Sequence, residues 1–208
     1  MTVLSKTHSS PRLLSTMISY EKRVTTVLHA IKHNTDCEID PVVPIRLKRQ
    51  VVAHLRAVTA LSIRNPDEIR LFAKWRKQSQ AFFPTQFRVT RAGTAKWARE
   101  QLLEKKDRVL FMIEDVSGRP LGHVGLNRFD FTHKSCEIDN IIRGEAGIPG
   151  LMTEAIAALC AWGGKELGVK TYYLQCLATN KKAIALYKRC GFKKVEDLDG
   201  GMIRMKKV

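Results

Sequence analysis

The chain has 208 residues, 44% of them hydrophobic and 27% charged, which is enough apolar material for a packed core and excludes a fibrous, collagen-like or fully disordered chain. No run approaches the roughly 18 consecutive apolar residues of a membrane helix, so no membrane partner is expected. The 36 lysines and arginines against 20 acidic residues leave a charge of +16, which implies polyanionic company, but the basic residues are spread along the chain and nucleic acid is the lesser expectation.

The first forty residues are rich in Ser, Thr and basic residues, with Glu21 the first acid, a composition shared by organelle transit peptides. Within them Leu13, Leu14, Met17 and Ile18, then Val24, Val27, Leu28 and Ile31, recur at helical spacing and predict one amphipathic helix or two short ones. Such a segment would dock on the domain, pair with another subunit or lie outside the fold. Pro41 and Pro44 read as a linker, so residues 1–50 are expected to form a basic extension, helical or partly disordered, and 51–208 the domain.

Val51 to Val58 is predicted as a strand, and Asn65-Pro66-Asp67-Glu68 starts a helix that ends near Lys77. Another helix starts after Thr90 or Thr94, with Trp97, Leu102 and Leu103 as its apolar side. Val109 to Ile113 and Leu121 to Phe129 make a hairpin about the turn Ser117-Gly118-Arg119-Pro120, and His133 to Ile142 a further strand. Leu151 to Leu167 carries a helical period ended by Gly168, Thr171 to Leu177 is a strand, and Lys181 to Cys190 a short helix closed by Gly191. Phe192 to Val195 with Met202 to Met205 is the last hairpin. Strands in series, a strand–helix–strand crossover and an antiparallel ending give an α/β or α+β fold with a mixed sheet.

Five cysteines at 37, 136, 160, 176 and 190 form no Cys-x-x-Cys pair and no zinc pattern, so reduced thiols, a cytoplasmic setting and no metal are expected, with Cys160 and Cys176 as small core residues. Between a predicted strand and a predicted helix lies Arg143-Gly144-Glu145-Ala146-Gly147-Ile148-Pro149-Gly150-Leu151-Met152. Glycines there let the backbone approach a ligand and aim amides at an anion, a pyrophosphate above all, with help from the helix dipole. It matches neither the P-loop nor the dinucleotide spacing, and a glycine-rich turn before a helix is often only a turn.

The later run Asn180-Lys181-Lys182-Ala183-Ile184-Ala185-Leu186-Tyr187-Lys188-Arg189-Cys190-Gly191-Phe192 resembles the GNAT superfamily of acyl-CoA-dependent N-acyltransferases: an Asn at a strand end, a short helix with Ala and Tyr, then Gly-Phe opening a strand. Residues 136–167 match that superfamily's earlier strand, glycine loop and long helix in order, and the resemblance covers roughly Val51 to Lys206. The loop departs from the superfamily spacing. Aligning backward from Thr153-Glu154-Ala155 puts Gly150 on the central glycine, whereas aligning from Arg143 puts Ala146 there with an insertion, and Pro149 removes one amide donor.

The resemblance implies a splayed, mostly antiparallel sheet with a βαβ acyl-CoA-binding unit, acetyl-CoA as cosubstrate and no metal. It implies transfer of an acetyl group to a primary amine of a small molecule by direct attack in a ternary complex. It assigns Ile141, Ile142, Arg143, Gly144, Gly147, Gly150, Leu151, Met152, Asn180, Ala183 and Tyr187 to the cofactor, with Tyr187 the candidate general acid beside the thioester sulfur. The other reading of Tyr187 is a helix aromatic packed on the sheet.

For the base, Glu137 and Asp139 stand two apart and share one strand face opposite Cys136 and Ile138; they would take a proton, hold a substrate cation, or pair with Arg143 or Arg128. His123, in Gly122-His123-Val124-Gly125, is the second candidate, or a satisfied strand histidine. Trp75, Arg76, Phe83 and Arg88 lie where the superfamily builds its acceptor side, and they equally fit a helix end and a loop packed on the core. The Trp-Arg helix end, the Thr90 to Trp97 helix start and Glu137-Ile138-Asp139 before Arg143-Gly144 are most similar to acetyltransferases of amino-sugar nucleotides, with those of ribosomal-protein N-termini as near relatives. A homodimer is among the expected partners. The rival is a non-catalytic CoA- or RNA-binding module.

Overall fold

The computed structural model describes residues 11–33, 42–83, 85 and 87–208, the first nine of them as backbone. Helix α1 (Pro11–His33) leads to strand β1 (Val42–Leu47), β2 (Gln50–Ala57), helix α2 (Pro66–Gln78) and helix α3 (Arg91–Trp97), which runs on in wider turns over Ala98–Leu103. Strands β3 (Val109–Asp115), β4 (Pro120–Asp130) and β5 (Ser135–Arg143) follow, then helix α4 (Leu151–Trp162) with its extension Gly163–Leu167, β6 (Thr171–Leu177), helix α5 (Lys181–Arg189), β7 (Phe192–Leu198) and β8 (Met202–Lys207). The strands form one sheet in the order β1-β2-β3-β4-β5-β6-β8-β7, antiparallel except for β5 against β6.

Local chemistry sets the helix starts. Asn65 Oδ1 accepts the Asp67 amide at 2.9 Å, Pro66 opens α2, and Asp67 and Glu68 sit in its first turn. Thr90 Oγ1 does the same for the Gly93 amide at 3.0 Å. Strand β3 is an almost unbroken apolar run because both its faces are covered: Val109, Phe111 and Ile113 join the core under α1 and α4, while Leu110 and Met112 join a second core with Phe72 and Trp75 of α2.

Two irregularities position the site. Strands β5 and β6 pair only at Ser135–Thr171, Cys136–Tyr172 and Glu137–Tyr173, and beyond Glu137 they splay apart. On its other side β5 pairs His123 with Ile142 and Gly125 with Asp139, so Asn140 and Ile141 face the single residue Val124; this is a bulge, with Asn140 at φ 48°.

The stretch expected as a linker contains a strand. Pro44 pairs in register with His54, and an edge strand tolerates the proline because its other side needs no donor. The boundary drawn between residues 50 and 51 therefore falls inside a hairpin. Helix α1 is one continuous helix, and its Tyr20, Val24, Leu28 and Ile31 are buried in the main core. Its Lys32, 2% exposed, donates from Nζ to the carbonyls of Leu102, Leu103 and Lys105 at 3.3, 3.1 and 2.5 Å, tying α1 to the end of the α3 segment. Pro41, Cys37 and residues 1–10 lie outside the described residues.

Candidate active site

The splay between β5 and β6 opens into a cleft of two joined halves, of 460 and 570 Å³. Phe82, Ile141, Arg143, Asn180, Ala183 and Tyr187 line both halves and so mark the junction.

The smaller half is walled by the loop after β5 and the first turn of α4. Gly150 takes φ +84° just before Leu151, a conformation that glycine adopts without strain. Among the described residues the amides of Gly147, Ile148, Gly150 and Met152 make no backbone hydrogen bond, and Gly147, Gly150, Leu151 and Met152 line the half. Arg143, Lys182 and Arg189 line it too, so this half gathers three cations beside a loop whose amides are in part unbonded among the described residues. Neither Lys182 nor Arg189 is among the residues that the resemblance assigns to the cofactor. They stand on α5, and their i, i+7 spacing was the available signal.

Gly144 has a different role. Its amide and that of Glu145 both donate to the Leu121 carbonyl at 2.9 Å, and a Cβ at 144 would fall inside the Trp75 indole. It serves packing and is not among the residues lining the cleft. Ile142 is 5% exposed, belongs to the second core and reaches only the larger half.

The larger half carries the acids. Glu137 and Asp139 line it, while Cys136 and Ile138 are buried in the main core, as the period of a strand requires, with Ile138 also bordering the cleft. Asp139 is held by one oxygen: Oδ2 accepts from Arg108, from Asn140 Nδ2 at 3.1 Å and from Asn127 Nδ2 at 3.3 Å. Its Oδ1 is buried against Gly125 without a partner, and burial pushes the carboxyl above its usual range despite Arg108. Glu137 is also raised by burial, against the pull of Arg128. Its Oε2 accepts from Arg128 at 3.1 Å and from Gln175 at 3.3 Å, while its Oε1 makes no hydrogen bond among the described residues, and the residue lines the cleft. Arg128 is the partner that the sequence offers; Arg108 is not, because it precedes β3, which reaches the acids of β5 only across the intervening strand β4.

Tyr187 is 6% exposed at the junction, its hydroxyl makes no hydrogen bond among the described residues, and burial raises it so that it stays protonated. Asn180 caps α5 by accepting the Ala183 amide at 3.1 Å, which turns Ala183 and Tyr187 toward the cleft. Cys176, which also lines the larger half, is a buried thiol raised by desolvation.

Other expected residues stand elsewhere. His123 registers with Met112 and faces the second core, fully buried between Phe72 and Trp75 at 5.6 and 5.9 Å; burial lowers it to about 4. Its Nδ1 meets the Asn140 carbonyl at 2.7 Å and its Nε2 has no partner, so it braces the bulge and does not line the cleft. Trp75 is fully buried, donating Nε1 to Glu145 Oε1 at 2.9 Å. Arg76 lies between Trp97 at 4.1 Å and Phe87 at 5.0 Å. Phe83 lines the larger half and stacks on Phe87 at 5.7 Å, whereas Arg88 lines a separate depression. Among the described residues no group of three or more His, Cys, Asp or Glu gathers to hold a metal.

A spermidine N(1)-acetyltransferase of Vibrio cholerae is 30% identical over 82 residues, 39% of this chain and 47% of that protein, so the match spans about half the length of the relative. Two solved structures share the fold. A ribosomal L7/L12 alpha-N-protein acetyltransferase in complex with coenzyme A superposes at a TM-score of 0.63, with 18% identity over 79% of this chain and 96% of that one. The spermidine N-acetyltransferase from Vibrio cholerae in complex with CoA and spermine superposes at 0.61, with 20% identity over 74% and 94%. The model of the acetyltransferase (GNAT) domain matches residues 59–193, about two thirds of the sequence, and the chain belongs to this family.

Proposed function

We propose that the protein transfers the acetyl group of acetyl-CoA to a primary amine in a ternary complex. The observation that carries this reading is one cleft with an amide- and cation-lined half, an unpaired tyrosine hydroxyl at the junction and, in the other half, a carboxylate with one oxygen that makes no hydrogen bond among the described residues. Acetyl-CoA would supply the thioester, its pyrophosphate held by the amides of Gly147 to Met152 with Arg143, Lys182 and Arg189.

The nitrogen must shed two protons, one before attack and one after the C–N bond forms, and the departing thiolate must gain one. The attacking amine must be neutral, and Glu137 Oε1, whose carboxyl is raised by burial, accepts its proton directly or through water. As the C–S bond breaks, the thiolate takes the hydroxyl proton of Tyr187, which is restored by the second proton that the acylated nitrogen sheds, directly or through water. Asp139 is a positioning residue: its anchored oxygen holds Arg108, Asn127 and Asn140 around the bulge. Cys176 lacks an adjacent base and has a raised thiol, which supports direct attack over an acyl-enzyme.

For the acceptor, the named relatives support a polyamine or a protein α-amine, and neither is the amino-sugar nucleotide anticipated from the sequence. The cleft favours the α-amine. Arg128 and Arg108 already neutralise Glu137 and Asp139, and four basic residues against three acids line the acceptor half, a poor match for a polycation. The 30% identical relative supports the second reading, a small-molecule polyamine.

Calorimetric titration with acetyl-CoA, followed by CoA-release assays with free-N-terminus peptides, spermidine and an amino-sugar nucleotide, tests both levels. Saturable binding and release of CoA with at least one amine is expected. No binding of any acyl-CoA, or binding without transfer to any amine, would overturn the reading.

A further inference from the structure

Residues 69–99 contain eight basic residues, Arg70, Lys74, Arg76, Lys77, Arg88, Arg91, Lys96 and Arg99, and no acid. Some are paired by neighbouring segments, Lys74 with Glu145 and Lys96 and Arg99 with Glu100. Lys77, Arg88 and Arg91 are exposed and make no ion pair among the described residues. Lys77 and Arg88, with Gln80, Phe87 and Thr90, line an open depression of 650 Å³. Beneath it Arg76 sits half-buried against Phe87 and Trp97, one guanidinium nitrogen unpartnered, and burial together with nearby Arg108 lowers it to about 10. Among the described residues no carboxylate pairs with it.

This basic shelf is the outer side of the turn whose inner side is the acceptor rim. Ser79, Phe82 and Phe83 line the cleft, Lys77, Gln80 and Phe87 line the depression, and the Phe83–Phe87 stack joins the two. Phe82, 52% exposed, stands at the mouth. We propose that the shelf docks an acidic segment of a peptide acceptor whose terminal amine lies at Glu137. This rests on the transferase reading and narrows its acceptor to peptides carrying Asp or Glu a few residues after the amine. A nucleic acid is the weaker match to the same charge, because it offers no aliphatic primary amine to the cleft beside it.

The test uses two decapeptides of equal length with free N-termini, one with Asp and Glu at its third to sixth positions and one with Ser and Gln there, assayed by CoA release. Wild-type protein is expected to show a KM about tenfold lower for the acidic peptide at about 50 mM salt, kcat within about twofold, and most of the advantage gone at about 300 mM. In the doubly reversed Lys77→Glu, Arg91→Glu protein the two KM values converge. Equal KM values in the wild type, or an advantage that survives the reversal, would overturn the proposal. Acetylation of spermidine but of neither peptide would overturn the shelf and leave the transferase reading intact, whereas absence of acetyl-CoA binding would remove both. Salt-steep binding of an unrelated RNA, lost in the reversed protein while the peptides stay equal, would assign the shelf to nucleic acid instead.

Discussion

Gly144 lies flat against the indole of Trp75, so that a glycine standing in a phosphate-type loop owes its identity to packing across the second core. Trp75 in turn donates to Glu145, the next residue of the loop, at 2.9 Å, and Lys74 reaches the same carboxylate oxygen at 2.5 Å. The base of the loop is therefore clamped to α2 by one contact surface and two polar bonds. Gly144→Ala is expected to destabilise the fold by roughly 1–3 kcal/mol through overpacking, read as a lowered denaturation midpoint. An unchanged midpoint would show that the indole moves freely.

Tyr187→Phe should lower turnover about a hundredfold while the calorimetric Kd for acetyl-CoA stays within about twofold, since only the hydroxyl proton is lost. Equal turnover would remove the tyrosine from the chemistry and leave it as a buried helix residue.

The two acids should separate by assay. Glu137→Gln is expected to cut kcat by about a hundredfold with little change in stability, because the residue lines the cleft and its Oε1 makes no hydrogen bond among the described residues. Asp139→Asn leaves Arg108, whose side chain is 12% exposed, without its carboxylate and should cost about 3–5 kcal/mol in chemical denaturation. Loss of stability in the Glu137 variant and loss of activity alone in the Asp139 variant would reverse these roles.

Lys32 gives the fold a pH signature. Burial lowers its pKa in the folded protein to about 8, from 10.5 in the unfolded chain. Between those values the unfolded chain binds the extra proton, so this group makes stability rise with pH by up to about 1.4 kcal/mol per unit, and its contribution to the slope fades as pH falls below 8. Denaturation of wild-type and Lys32→Met proteins at pH 7.5, 9 and 10 isolates the effect as the difference between their slopes. Parallel slopes would place the lysine in water.

Much of this was legible in the sequence because its signals are local. Asn65-Pro66 announced α2, the period-2 run through Cys136 to Asp139 put both acids on one face, and Asn180 with Gly191 bounded α5. What escaped depended on distant partners. Pro44 looked like a linker until β2 paired with it, and Arg108 is 31 residues from Asp139 in the chain. The titratable His123 looked available for catalysis, but its register with Met112 turned it into the second core. Gly144 read as a ligand glycine because sequence shows the absence of a side chain and not the ring that requires it.

The central claim is that one cleft joins an acyl-CoA half to an amine half. The most direct measurement is a time course of free CoA thiol, with mass spectrometry of the acceptor, after adding acetyl-CoA and a free-N-terminus peptide to the full-length protein. The expected result is one acetyl group on the peptide amine for each thiol released, with nothing retained on the protein. Binding of acetyl-CoA with no thiol released in the presence of any primary amine would contradict it.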